Sequence, residues 1–409
     1  VVLVDEHGVP IRPALLHADI RAQSQCDLLR QRLGEERYYL LTGNRIAPFT
    51  SLPKLMLLQE REPEAVRRAR WMLQSKDYCA GRLTGRWGVT DPSDASLTGA
   101  YDASRRQWCA EVVEASGAPA RLLPEVVPST TVVGRVSREA AQVTGLPEGL
   151  PVVLGAGDGA SATMGAGVVE AGDCYTCLGS TAWTACLRAQ YQPDPQMRLT
   201  TLLPAQPGRW VQYGTVQSAG SAWSWFRSLF GKGMRWERLI AEAQQAPAGS
   251  DGVLFLPYLT GERAPIWNPR AQGVFFGLQA HHTRAHLARA VLEGVACALG
   301  SILRLLREQG AVAPTVRVVG GAARNPLWMQ ILADLYGCPV EVPQHAESST
   351  AVGAAVIAGV GVGLFADFTV AKRVAAAEHR YEPQNAGQKV YAELSTRAAQ
   401  LYDHVRDLF

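Results

Sequence analysis

An α/β fold in two domains is the architecture this sequence predicts. The chain has 409 residues, more than one hydrophobic core usually organises. Its second half alternates short apolar strands with helical stretches that end on glycine. Its character changes near the middle, where a glycine-rich run around Asp158 gives way to a hairpin pattern. That change places a boundary near Gly167 and gives domains at 1–166 and 167–409.

Taken in order, Val1–Val4, a turn at Glu6-His7-Gly8 and Ile11–Leu16 read as a hairpin. An apolar strand with no Met before it makes the chain look like a fragment whose start is missing. Ala22–Leu33 reads as a helix stopped by Gly34, and Pro53–Glu60 and Pro63–Leu73 carry helical spacing. Thr90-Asp91-Pro92-Ser93-Asp94 is a loop of turn and capping residues, and Arg105–Ser116 is a helix ended at Gly117. Pro151–Leu154 is a strand that runs into Gly155–Ala160 and a helix of small residues. Cys174–Leu178 and Ala182–Leu187 form a second hairpin around Gly179-Ser180-Thr181. Val253–Pro257, Val316–Val319 and Val340–Val342 read as strands. Thr283–Gln309, Asn325–Tyr336, Ser349–Ala358 and the surface segment Gln388–Phe409 read as helices.

Hydrophobic residues make up 47% and charged residues 19%, an ordinary globular balance. The net charge is +3 with scattered Lys and Arg, so no nucleic-acid footprint is present. The uncharged run Ala351–Ala366 is short for a membrane span and fits a buried helix. The eight cysteines lie mostly in apolar stretches. The lone C-x-x-C, Cys174 and Cys177, has no second pair, and in a strand its members face opposite ways. Buried free thiols in a reducing cytoplasm are the expectation.

Four motifs carry chemistry. Asp158, between glycines at the junction of a strand and a helix, can take a hydroxyl proton or hold a metal ion; a plain helix N-cap is the alternative and is compatible. Gly155-x-Gly157-x-x-Ala160 also resembles a dinucleotide loop, but an acid inside it would repel a pyrophosphate. Gly179-Ser180-Thr181 can cradle phosphate oxygens or be an ordinary turn. Gly320-Gly321-Ala322-Ala323-Arg324-Asn325 joins a strand to a helix N-terminus, where two glycines let a ligand approach. Asp19 and Arg21, after His17, can hydrogen-bond neighbouring hydroxyls or form a surface ion pair.

Together, in this order, these motifs resemble the FGGY family of carbohydrate kinases from Val1 to Phe409, with spacing most like its xylulokinases. Gly261-Glu262-Arg263-Ala264-Pro265, then Gly273 to Gly277 and Glu293, resemble the signature of the family's second domain. Phe49 and Lys54 resemble that of the first. The resemblance implies two actin-like, ribonuclease H-like ATPase domains flanking a catalytic cleft. It implies that a pentulose, foremost D-xylulose, is phosphorylated from ATP with Mg²⁺. Asp158 would be the base, and His17, Asp19, Arg21 and Phe49 would bind the sugar. Gly179, Ser180, Thr181, Gly320, Gly321, Ala322 and Asn325 would hold ATP. The chain departs from the family at its start, where the first phosphate loop is absent, at His17-Ala18, where Trp-x or Asn is usual, and at Leu57, usually Trp. Ribulose, glycerol or erythritol as acceptor, an inactive kinase-like binding protein, and a dinucleotide oxidoreductase remain as alternatives. The expected partner is a small sugar, with neither nucleic acid nor membrane; a second copy of the chain stays open.

Overall fold

The opening strand, Val2–Val4, is buried at every residue and pairs antiparallel with Trp71–Leu73, Val2 opposite Leu73 and Val4 opposite Trp71. This corrects the expected hairpin in the computed structural model, which describes residues 1–409. Ile11 and Leu15 still donate backbone N–H groups to the carbonyls of Leu3 and Val1, but 11–16 forms no strand. The helix expected over 63–73 accordingly stops at Arg68, and the apolar Trp71-Met72-Leu73 turns extended to cover the first strand. The helix expected over 105–116 is likewise shorter. Tyr101–Asp102 and Gln107–Trp108 pair as a small ribbon, and the helix runs Ala110–Ser116 to the left-handed Gly117.

The chain forms two units. The first comprises Val1–Gly165, Ala189–Val211 and Thr350–Val374; the second comprises Ala166–Arg188, Gln212–Ser349 and Ala375–Phe409. The units interleave along the chain, with 189–211 and 350–374 in the first, whereas the expected domains meet at one boundary near Gly167.

In the first unit, helices Gln23–Leu33, Ser51–Arg61 and Ala110–Ser116 enclose a core of Leu3, Leu29, Tyr38, Leu52, Leu55 and Met72. The short helix Pro92–Leu97 follows Asp91, whose carboxylate accepts the N–H groups of Ser93 and Asp94; Pro at its first position needs no N–H. The strand Pro151–Val153 leads to the helix Asp158–Gly165. Helix Ser349–Gly361, the site of the uncharged run, packs on it through small residues: a side chain at Gly353 would strike the carbonyl of Ser161 and the amide of Gly165.

In the second unit a mixed sheet includes, side by side and in this order, Trp210–Val216, Ala182–Arg188, Cys174–Leu178, Val316–Val319, Val340–Pro343 and Ala377–Tyr381. Val316–Val319 runs parallel to both its neighbours, and Ala377–Tyr381 closes the edge antiparallel. Helices Arg284–Glu308, Pro326–Tyr336 and Asn385–Val405 pack on one another. Cys174 lies opposite Cys186 on the hairpin and the two form a disulfide, so the expectation of free thiols fails at this pair. No helix is long and apolar enough to cross a membrane.

Candidate active site

Asp158 stands at the first position of its helix, exposed, with Oδ1 accepting the N–H of Gly159 at 2.7 Å. The two glycines before it serve the fold in different ways. Gly155 has φ +76°, which side-chain-bearing residues rarely adopt. Gly157 is crowded from within, since a Cβ there would lie 2.7 Å from Asp94 Oδ1. The close approach read from the sequence is therefore made by the protein's own carboxylate.

The sugar-side candidates of the first unit meet through a residue to which the sequence assigned no role. Lys54 is 2% exposed and donates from Nζ to three carbonyls, Leu16 at 2.6 Å, Phe49 at 2.9 Å and His17 at 3.2 Å. Burial lowers its pKa, with Asp19 pulling the other way. This draws the His17 and Phe49 rings to 5.2 Å, tilted by 47°. Asp19 and Arg21 bind each other: the Arg21 backbone N–H, Nε and Nη2 all donate to the Asp19 carboxylate, the shortest at 2.6 Å. These bonds hold the Asp19 pKa down to about 2, so it is ionised at any physiological pH. The ion pair weighed as the plain alternative is therefore present. The arrangement is a fixed acceptor beside a mostly exposed guanidinium. Asp158 lies on a separate element of the same unit.

In the second unit, Gly179-Ser180-Thr181 forms the hairpin turn, closed by Gly179 N–H to the Thr181 carbonyl at 3.0 Å. Its carbonyls are gripped by the start of helix Gly220–Phe230, which the sequence reading missed. Ala219 and Ser221 donate their backbone N–H groups to the Ser180 carbonyl and Gly220 donates to Gly179, while the Ser221 hydroxyl also donates to Ser180. A Cβ on Gly220 would lie 2.5 Å from the Gly179 oxygen, so the helix approaches the turn only because glycine stands there.

Gly320 and Gly321 turn out to differ. Gly320 has φ +99°, donates its N–H to the Ala346 carbonyl at 2.8 Å, and would place a Cβ 2.6 Å from the Leu178 carbonyl. It packs on the strand that leads into Gly179. A Cβ on Gly321 meets nothing within 4 Å. Gly321, Ala322 and Ala323 form a 3₁₀ turn with Arg324, and Asn325 caps helix Pro326–Tyr336 by accepting the Trp328 N–H. Asn325 is 5% exposed and its Nδ2 has no hydrogen-bond partner. A buried donor left unpaired costs free energy, and a polar ligand would relieve that cost.

The Gly261–Pro265 segment is anchored to the end of strand Trp210–Val216. Glu262 Oε1 accepts the N–H groups of Gln217 and Arg263, each at 2.7 Å, and Arg263 Nε donates to the Gln217 side chain. Glu262 Oε2 is buried without a partner, and burial pushes the carboxyl up to about 7. Glu293 is fully used: it accepts from Gly249 N–H, Arg289, the Ser250 hydroxyl and the Tyr391 hydroxyl. Both signature acids therefore hold the second unit together.

Comparison with known proteins gives a consistent answer. The profile of the N-terminal domain of the FGGY family of carbohydrate kinases matches residues 1–165, and that of the C-terminal domain matches 174–362. A xylulose kinase of Escherichia coli (strain K12) is 35% identical over 358 residues, 88% of this chain and 73% of the relative. A gluconokinase of Bacillus licheniformis is 29% identical over 406 residues, 96% of this chain and 78% of the relative. The solved structure of a xylulose kinase from Rhodospirillum rubrum superposes with a TM-score of 0.90 at 31% identity, covering 100% of this chain and 82% of that one.

Proposed function

Because the chain belongs to the FGGY family of carbohydrate kinases, and is thus a sugar phosphotransferase, we propose that it transfers the γ-phosphoryl group of ATP to a pentulose, foremost D-xylulose, to give D-xylulose 5-phosphate. The observation that carries the reading is Asp158, an exposed carboxylate at a helix start, after a loop in which Gly155 is required by its backbone conformation and Gly157 by the Asp94 carboxylate beside it. Phosphoryl transfer passes through a loose transition state, so catalysis is mostly positioning and charge neutralisation. Asp158 orients the acceptor hydroxyl and takes its proton as the new P–O bond forms. Asp19 accepts from one sugar hydroxyl, Arg21 donates to a neighbour, and Phe49 packs against the carbon chain beside His17. These sugar-side groups lie in domain 1–166.

The nucleotide is assigned to domain 167–409. Gly179, Ser180 and Thr181 face the phosphates. Gly321, unobstructed, and Ala322 lie along the adenosine, and the unpaired Nδ2 of Asn325 supplies a donor. The exposed oxygens of Asp158 suit a hard cation, and Mg²⁺ bound there would offset phosphate charge.

The named xylulose kinase relatives support a pentulose. The gluconokinase relative supports a second reading, a six-carbon sugar acid. The deciding experiment measures sugar-dependent ADP release by the full-length protein on D-xylulose, D-ribulose, L-xylulose, D-gluconate, erythritol and glycerol under one condition. The account expects the highest kcat/KM on a pentulose, because polar groups built for ring or chain hydroxyls are left unpaired by smaller polyols. A higher value on gluconate, glycerol or erythritol contradicts it.

A further inference from the structure

Beneath the Gly155–Asp158 loop lies a buried cluster of four charged groups. Lys76 Nζ stands 2.6 Å from Asp77, 3.2 Å from Asp91 and 3.4 Å from Asp94. Asp91 and Asp77 are buried, while the side chains of Asp94 and Lys76 keep partial exposure. One ammonium thus faces three carboxylates largely shielded from water, a costly arrangement that capping a six-residue helix does not require.

The hydrogen bonds show what the cluster grips. The hydroxyls of Ser93 and Ser129, each 1% exposed, both donate to Asp91 Oδ2 at 2.7 Å. Because its proton is committed to Asp91, the Ser93 oxygen is free to accept, and it takes the N–H of Gly157 at 2.8 Å. The Ser129 carbonyl takes the N–H of Gly155 at 2.9 Å. Both ends of the turn Gly155–Gly157 are therefore fastened to one carboxylate, and Asp94 Oδ1 closes off the space beside Gly157.

We propose that Asp91 and Ser93 are positioning residues for Asp158: the Asp91 carboxylate, neutralised by Lys76, orients the Ser93 hydroxyl so that it fixes the Ala156–Gly157 peptide, one residue ahead of Asp158. The proposal rests on Asp158 being the base. A base works only in hydrogen-bonding reach of the proton it removes, and a displacement of about 1 Å can cost on the order of a hundredfold in rate. Ser93 touches neither sugar nor nucleotide in this scheme and acts only through the Gly157 amide.

The test is a double-mutant cycle in the full-length protein, with Ser93→Ala made alone and in Asp158→Asn. Ser93→Ala removes no charge, so the cluster stays balanced. Acting alone it is expected to lower kcat about tenfold while KM for ATP changes less than about twofold. In Asp158→Asn it is expected to cost nothing further, because the group it positions is already disabled. Hydrogen exchange of the segment covering Gly155–Asp158 should quicken in Ser93→Ala, since the Gly157 amide loses its acceptor. Normal kcat in Ser93→Ala, equal fold-losses in both backgrounds, or unchanged exchange each overturn the positioning role. Normal turnover in Asp158→Asn alone overturns the base assignment, and the positioning role with it. Asp91→Asn should reproduce the Ser93→Ala pattern, because an amide oxygen is a weaker acceptor for the two hydroxyls than the carboxylate and no longer balances Lys76.

Discussion

At the scale of single residues, paired glycines divide into those the fold requires and those it leaves open. Gly320→Val places a branched side chain at φ +99° against the Leu178 backbone, where a left-handed β-branched residue alone costs about 1–3 kcal/mol. Thermal denaturation should show a lower Tm for Gly320→Val, whereas Gly321→Val, with nothing within 4 Å, should keep its Tm and lose ATP affinity by calorimetry. Equal effects of the two substitutions would show that the distinction is wrong. The sequence reading placed both glycines at a ligand, because a double glycine before a helix signals close approach without saying of what. Asp158, Asp19, Arg21 and Phe49 stood out in the sequence as candidates, and the Asp19–Arg21 ion pair weighed there as an alternative is present. The roles of Lys54 and Ser93 were not legible there. A lysine that binds three carbonyls, or a serine that bridges a carboxylate to an amide 64 positions away, leaves no local pattern.

At the scale of elements, the helix presenting Asp158 depends on its contact with helix Ser349–Gly361. Gly353 lies against the Ser161 carbonyl, and overpacking of this kind costs about 1–3 kcal/mol. Gly353→Ala is therefore expected to lower stability by about that amount and to reduce kcat by shifting the helix that carries Asp158. Denaturant unfolding and turnover of the purified variant check both; unchanged values for both would rule out the contact as a determinant. The small-residue character of each helix was legible from composition, but their pairing was not, since nearly 200 residues separate them. The same limit explains the opening strand. Its apolar run was read correctly as extended, yet its partner is Trp71–Leu73 and not the adjacent 11–16, because pairing is decided by which apolar surface remains to be covered. Glycine stops at 34, 117, 310 and 337, by contrast, mark helix ends in the structure because αL or related conformations favour glycine locally.

At the scale of the whole molecule, the α/β class and the family were legible because glycine-punctuated strand–helix alternation and long spaced signatures survive in the sequence. Residues 189–211 and 350–374 join the first compact unit through contacts far apart in sequence, which a single boundary near Gly167 does not express. Stability should carry a pH signature of the buried acids. Burial raises Glu262 to about 7, and burial, opposed by Lys76, holds Asp94 above the ordinary carboxylate range. The folded protein then keeps protons that the unfolded chain releases near pH 4, so stability falls as pH rises from about 4 to about 7. Glu262→Gln cannot ionise and should lessen that fall by on the order of 1–3 kcal/mol. Unfolding of both proteins at pH 5 and pH 8 tests it; an equal difference between the two pH values in each protein would count against the buried, protonated carboxyl.

The central claim, that Asp158 is the base of a sugar phosphotransferase, is tested most directly by the turnover of Asp158→Asn in the full-length protein with its preferred sugar. The substitution keeps the shape and removes both the proton acceptor and the negative charge. The account predicts a fall in kcat of about a hundredfold or more, with ATP affinity changed less than about twofold. A kcat within a few-fold of the unsubstituted protein would contradict it.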